Sequence, residues 1–298
     1  MRFIKTLTLL LLAFSTIHVE IAPAAEQEPV VPNFWDMRVR LDKPNQSART
    51  IRFLASDDFP PFAFRDPAGR LTGFNVDLAR AICEELDAVC TLRIKPFDEL
   101  VPALASGEGD AIIAGLEPGF GSTEKTGSPK ADDTETSSHK SPLVYSAPYL
   151  KLPARFVVRK EDAVREAPVP ETMEGKWISV AEGTQHEAFL KTFFPNSLIT
   201  TYPDEEEARA ALRRGEVDAH FGDGLGLSYW LQGTSSANCC VFAPGPWLEP
   251  GYFDHGMSIA IAREADGLRE AIDYALQQVH TTGQFGELYL RYFPISFY

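Results

Sequence analysis

Residues 104–111 and 212–219 repeat one another. Leu104-Ala105-Ser106-Gly107-Glu108-Gly109-Asp110-Ala111 is answered, 108 positions later, by Leu212-Arg213-Arg214-Gly215-Glu216-Val217-Asp218-Ala219. In each copy a helical face runs out and a glycine stands where helices end in the left-handed conformation. An Asp-Ala pair then opens an apolar run. Each copy also stands third in an alternation of strand and helix signals. A chain built this way folds as two units of similar design, not as one continuous sheet. The same offset carries Gly115 onto Asp223. Both fall at carboxyl ends of parallel strands, the edge where α/β sheets take ligands, and two such edges facing each other make a cleft.

The elements around the repeat fit this plan. Ile51–Ala55 reads as a strand, and 57–62 as a turn carrying aromatics. Asn75 is placed to cap a helix whose apolar face is Val76, Ala79, Ile82, Cys83 and Leu86. Strands follow at 92–94 and 110–116, with a helix over 98–105 between them. After Tyr145 the pattern resumes with strands at 155–159, 177–181, 198–202, 217–222 and 257–262. Helices are expected over 185–194, 204–214, 264–280 and 283–292. Such alternation predicts an α/β protein of two lobes, each a mainly parallel sheet with flanking helices. Residues 118–142 hold almost no apolar side chains and read as a mobile surface loop.

The amino end has the build of an export signal. Arg2 and Lys5 precede the apolar run Leu7–Phe14, and Ala22-Pro23-Ala24 supplies small residues at cleavage spacing. That run is shorter than the roughly 20 residues a membrane span needs. Residues 1–24 are therefore read as a signal peptide, and the chain as a periplasmic protein. Residues 25–50, rich in Pro, Gln and Asn, form an N-terminal extension in which Phe34 and Trp35 should dock on the body, since exposed aromatics are costly. The formal charge is −14, and −15 once Arg2, Lys5 and Glu20 are gone. That sign repels nucleic acid and anionic membranes.

Four cysteines suit an oxidising compartment. A Cys83–Cys90 bridge would close a short loop worth about 2.5 kcal/mol on the chain-entropy account. Cys239 and Cys240 are adjacent, and the sequence leaves a strained vicinal bridge and two thiols equally open. No metal signature, phosphate loop, nucleophile elbow or cofactor fingerprint occurs, so no cofactor is expected. His186 and His220 have no serine or carboxylate at triad-like spacing, so surface or satisfied core roles are expected of them. Asp57-Asp58 reads as a solvated turn, and Glu205-Glu206-Glu207 as acids at a helix start.

An ordered set of short motifs carries a family resemblance. Phe59-Pro60-Pro61-Phe62, Gly73-Phe74-Asn75-Val76-Asp77-Leu78-Ala79, 97–104, 107–111, Ser146-Ala147-Pro148-Tyr149, Val180-Ala181-Glu182-Gly183-Thr184 and 217–223 together resemble the family 3 solute-binding proteins, the amino-acid receptors of bacterial ABC importers. The likeness spans nearly all of 50–295. It implies lobe 1 at 51–150 plus 256–298 and lobe 2 at 151–255, joined by two crossings, with a small polar ligand trapped as the lobes close. The implied partners are that ligand and the membrane subunits of an ABC permease, with the receptor itself a monomer. It also matches Cys83 and Cys90 to a bridge of the lysine/arginine/ornithine and histidine binders.

Residue by residue, the resemblance makes Phe59 an aromatic lid over the ligand and Phe97 its opposite wall. Ser56 stands where basic amino-acid binders keep an acid. Gly115 and Glu117 occupy a contact-bearing strand end. Thr184 and Gln185 sit at a helix N-terminus suited to a carboxylate, and Asp223 matches the acid that pairs with an α-ammonium. One departure stands out. The family's T-x-x-x-R, whose arginine grips the ligand carboxylate, has no counterpart, because no arginine occurs between Arg93 and Arg155. The implied pocket holds two acids and no matching cation, which points to a ligand with a positive centre. Two other classes stay open: an accessory or sensory protein that kept the fold, and a dehydratase-like enzyme on it.

Overall fold

The computed structural model describes residues 30–36, 38–44, 50–118, 142–163, 165–254, 256–293 and 296–298. The expected signal peptide and most of the polar loop, including 119–141, lie outside the described residues.

Two separate sheets form the frame. The first half of the chain supplies β1 (Thr50–Ala55), β2 (Asp58–Phe59), β3 (Ala63–Arg65), β4 (Leu71–Thr72), α1 (Phe74–Glu85), β5 (Val89–Ile94), α2 (Leu100–Ala105), β6 (Ala111–Leu116), β7 (Leu143–Tyr145) and β8 (Leu150–Lys151). Then follow β9 (Ala154–Arg159), β10 (Trp177–Ala181), α3 (Gln185–Phe193), β11 (Leu198–Tyr202), α4 (Glu205–Arg214), β12 (Ala219–Asp223), α5 (Gly224–Gln232) and β13 (Cys240–Phe242). β14 (Gly256–Ala262), α6 (Asp266–Thr281) and α7 (Gln284–Tyr292) close the chain.

The first sheet runs β5-β1-β6-β14-β7, with β8 also on β14; the second runs β11-β10-β12-β9-β13. In each, three strands are parallel and the next two antiparallel. The repeat seen in the sequence is thus a repeat of topology. Gly107 and Gly215 both take the left-handed conformation, at φ 76 and φ 75, and β6 and β12 are the third parallel strand of their sheets. The chain passes between sheets twice, from Lys151 to Ala154 and again before Gly256. The crossings are tied where Ala154 and Trp247 exchange two backbone hydrogen bonds of 3.0 Å.

Alternation along the strands builds a core on both faces of each sheet. On β9, Phe156 and Val158 join Phe189, Phe194, Phe221 and Phe253, while Val157 faces Leu212, Leu227 and Trp230. In the first lobe Ile51, Phe53, Leu78, Ile82, Ile272, Leu276 and Tyr289 share one cluster, and Leu54, Leu100, Leu104 and Ile112 the other. Each such side chain, fully buried, contributes about 1.5–3 kcal/mol. Cys83 and Cys90 are joined, Cα atoms 6.0 Å apart, linking α1 to β5. Cys239 and Cys240 are joined to each other.

Two local expectations change. Asn75 does not cap α1. Its backbone N–H and that of Phe74 donate to the carbonyls of Phe62 and Pro61 at 2.8 and 3.0 Å, and Gly73 takes the cap position. Only glycine serves there, since φ is 134 and a Cβ would lie 2.3 Å from the Phe62 carbonyl oxygen. Residues 57–62, expected as a turn, supply β2, the first strand of a three-stranded antiparallel sheet, β2-β3-β4.

The extension docks as expected. Trp35 packs on the first lobe's core, and the Phe34 and Tyr298 rings lie 6.0 Å apart. Among the described residues no helix is long and apolar enough to cross a membrane.

Candidate functional site

The first wall is built at the carboxyl ends of β1, β5 and β6. β1 ends at Ala55, which leaves Ser56 buried, 2 % exposed, just beyond it. Phe59, on β2, stacks on Phe62 at 4.7 Å between centroids and keeps about a third of its surface in solvent. Its ring lies on Gly115. A Cβ there would sit 2.8 Å from Phe59 Cε1, and φ is 73, so a glycine is needed twice over. The fold therefore brings Phe59 and Gly115 together. Phe97 opens the short turn after β5 and is similarly exposed. Like Phe59, it belongs to the first half of the chain. Glu117 is exposed one residue past β6.

Beneath this wall sit two polar side chains that had no expected part in the site. Asn75 is 1 % exposed and Tyr149 fully buried. The Tyr149 hydroxyl lies beside the Asn75 amide and the Gly115 N–H, and burial pushes its pKa up.

The second wall stands at the ends of β10, β11 and β12. Thr184 caps α3: its hydroxyl donates to the Ala181 carbonyl at 2.8 Å and accepts the Glu187 N–H at 3.2 Å. Gln185 is the exposed first residue of the helix. The Glu187 side chain folds back to accept the Gly183 N–H at 2.7 Å, one residue before the cap. Its carboxyl is held below the ordinary range by Lys191 first and then by that N–H. The helix start expected to receive a ligand carboxylate thus already carries one of its own.

Asp223 ends β12 and caps α5, accepting the Gly226 N–H at 2.6 Å. Burial raises its pKa, and the nearby Glu205 charge adds to the rise against the pull of Gly226. Glu205 itself is half-buried, so a negative pair forms at this edge where the sequence suggested only acids at a helix start. Its Oε2 lies 3.0 Å from His220 Nε2. Burial would raise the Glu205 pKa, but His220, His186 and Arg209 together hold it below the ordinary value. Gly222 makes room: a Cβ there would lie 2.9 Å from His220 Nε2 and 3.1 Å from Glu205 Oε2.

His220 takes the satisfied core role expected of it, with a partner on each ring nitrogen. Its Nδ1 lies 3.1 Å from Ser179 Oγ, so serine, histidine and carboxylate stand in line. The order is that of a hydrolytic triad, yet the chemistry is closed off. Ser179 and His220 are both 0 % exposed, and the hydroxyl donates to the Ala208 carbonyl at 2.9 Å. A nucleophile must reach a substrate, and this one is packed under α4. The array anchors Glu205. His186 stacks on Phe253 at 5.1 Å, and burial lowers its pKa to about 4, so it is neutral at pH 7.

Among the described residues no group of three or more His, Cys, Asp or Glu could hold a metal ion. The T-x-x-x-R position, with Thr123–Thr126 nearby, lies outside them.

Comparison with known proteins places these walls in context. Residues 51–119 match the profile of the bacterial extracellular solute-binding proteins, family 3. The chain is 25% identical over 248 residues to ABC transporter arginine-binding protein 1 of Escherichia coli, covering 83% of this chain and 92% of that one. Its fold is similar to an ancestral cationic amino acid solute-binding protein, at 25% identity and a TM-score of 0.54, covering 82% and 96% of the two chains. An ancestral cyclohexadienyl dehydratase matches at 18% identity and a TM-score of 0.62, covering 83% and 93%, a likeness of fold alone.

Proposed function

We propose that this chain is a bacterial extracellular solute-binding protein of family 3 and the ligand-capturing receptor of an ABC-type importer, a reading supported by its match to that family's profile over residues 51–119. It works in the periplasm, after export by a cleaved signal over residues 1–24, and binds without doing chemistry. Lobe 1 comprises 51–150 and 256–298, and lobe 2 comprises 151–255. The solute lies between the two strand-end walls and is held as the lobes close, and the closed form is the one a membrane permease reads.

The ligand is a small amino-acid-like solute with at least one positive centre. The observation that carries this is Asp223, a half-buried carboxylate whose pKa is raised by burial and by Glu205. A negative pair kept partly from water gains most from an incoming cation. Asp223 takes the ligand's ammonium, Phe59 and Phe97 cover its apolar part, and Ser56, Gly115, Glu117, Thr184 and Gln185 line the remainder. The relative that binds arginine and the one that binds cationic amino acids agree with that sign.

Calorimetry on the exported chain tests the reading, with L-arginine and L-histidine as cation-bearing probes and succinate as a pure anion. The expected result is binding of at least one cation-bearing amino acid and none of succinate. Tight succinate binding, with none by the amino acids, would reverse the sign of the pocket.

A further inference from the structure

The extension before β1 is more than a leader lying on the surface. Its described part, 30–36 and 38–44, is fastened to lobe 1 along its length. Gln277, 3 % exposed on α6, accepts the Leu41 N–H at 2.8 Å and donates to the Val39 carbonyl at 2.7 Å, holding the backbone as a neighbouring strand would. Val31 packs against Gly286 of α7, and Lys43 pairs with Asp87 at 3.1 Å. Ser296 donates to the Val30 carbonyl at 2.9 Å, so the extension and the carboxyl-terminal tail form one assembly.

That assembly ends on the crossing between the lobes. Lys151, the last residue of β8, is touched twice. Its ammonium lies 5.5 Å from the Phe34 ring centroid, and its carbonyl accepts the Tyr298 hydroxyl. The next tail residue inward, Phe297, is fully buried in lobe 1 and reaches lobe 2. A Cβ on Gly224 would lie 3.3 Å from the Phe297 carbonyl oxygen, and the Gly224 N–H itself donates to Pro153 in the crossing at 2.8 Å.

At the same seam lies a side chain the binding walls do not use. Arg155, the second residue of β9, is 5 % exposed, and its stem packs against Gly224. The guanidinium covers the Phe242 ring at 4.4 Å, and Nη2 donates to the Ala243 carbonyl at 3.0 Å. Among the described residues Nε and Nη1 have no acceptor. Burial pulls its pKa down to about 10, which leaves it charged at neutral pH. A buried cation with two unsatisfied donors is costly to hold. The present lobe arrangement therefore carries a penalty at Arg155 and a set of restraints at Phe34 and Tyr298.

We infer that the described part of the extension, 30–36 and 38–44, together with the carboxyl-terminal Tyr298 is a latch on the hinge: Phe34 and Tyr298 hold the crossing strand in the arrangement seen here, while Arg155 at the same seam favours leaving it. The two act in opposition on one equilibrium, so affinity in the cleft is set partly by side chains that never meet the solute. The inference needs only that the lobes move about their crossings. It holds whatever the solute is.

Single-molecule energy transfer on the full exported chain, with no ligand added, tests it. Dyes on unnatural amino acids at Glu84 of α1 and Glu206 of α4 report the distance between lobes without touching the cysteines. Phe34→Ala and Tyr298→Phe should each raise the population of the alternative arrangement about fivefold or more, and Arg155→Met should lower it about threefold. Lys43→Ala, which breaks a contact of the same extension far from the crossing, should leave the distribution as in the unaltered chain. Tyr298→Phe removes one hydroxyl only and keeps the test open should Phe34→Ala fold poorly. Distributions unchanged by both latch variants would overturn the inference, as would Arg155→Met moving the population the same way as they do.

Discussion

Replacing Asp223 by asparagine separates the two jobs its carboxylate holds. One job is local: the side chain caps α5 through the Gly226 N–H at 2.6 Å. Asparagine caps a helix about as well as aspartate, whereas alanine costs about 0.5–2 kcal/mol. The other job is reception of the ligand cation. A charge-assisted hydrogen bond is worth about 1.5–3 kcal/mol, so its loss should weaken binding by roughly 10- to 150-fold, at a factor of ten per 1.4 kcal/mol. The folded pKa of Asp223 is raised above 3.8, burial being the main cause. Its ionised form is thus a burden on the free protein, one that is absent below the unfolded value and appears as pH rises through the folded one. Asp223→Asn should accordingly melt no lower than the unaltered chain at pH 7 and lose that advantage in acid. Calorimetry with L-arginine, paired with thermal melting across pH, reads both effects. Unchanged affinity would show that the carboxylate is a cap and nothing more. A lowered melting temperature at pH 7 alongside weak binding would show that the loss was structural.

Three further outcomes follow from single interactions. Cys83→Ser with Cys90→Ser should cost about 2.5 kcal/mol on the chain-entropy account, a fall in melting temperature of about 5–10 °C; an unchanged melt would mean the bridge does not form in the exported chain. Glu205 has a folded pKa below its ordinary 4.5, so its contribution is full above that value and lost as pH falls through the folded one. Glu205→Gln should therefore flatten the acid limb of a melting-versus-pH curve, and a limb as steep as before would remove the His220 contact from the account. Phe59→Ala should weaken L-arginine binding with little change in melting, because the ring is a third exposed; a large stability loss with intact binding would make it a core residue.

The frame was legible because it rests on local signals. Helix ends, glycines and apolar alternation are written within a few residues of one another, and the 104–111 and 212–219 copies lie in corresponding joints of the two sheets. What escaped depends on contacts the chain makes at a distance. Gly73 took the cap from Asn75 because Phe62 and Pro61 already supply acceptors to the first turn. β2, β3 and β4 are two or three residues each, too short for any period to show. Ser179, Glu205 and His220 lie 41 and 15 positions apart, and only the folding of α4 across β10 and β12 lines them up. Glu205 looked like its neighbours Glu206 and Glu207 because a helix-start acid and a site acid share one sequence signature. Gly222, which gives it room, was the available hint. The placement of Phe34 and Trp35 was legible from apolar cost alone, but the reach of Phe34 to Lys151 was not.

Thermal melting of the exported chain against a panel of arginine, histidine, lysine, polyamines, betaines and dicarboxylates bears most directly on the claim that this is a receptor for a cation-bearing solute. A true ligand at 100 times its Kd adds about 2.7 kcal/mol to stability, or roughly 5–10 °C in melting temperature for a chain of this size. The account predicts such a rise with at least one cation-bearing amino acid or amine, abolished in Asp223→Asn, and none with dicarboxylates. A rise confined to dicarboxylates, or no rise with any member of the panel, would contradict it.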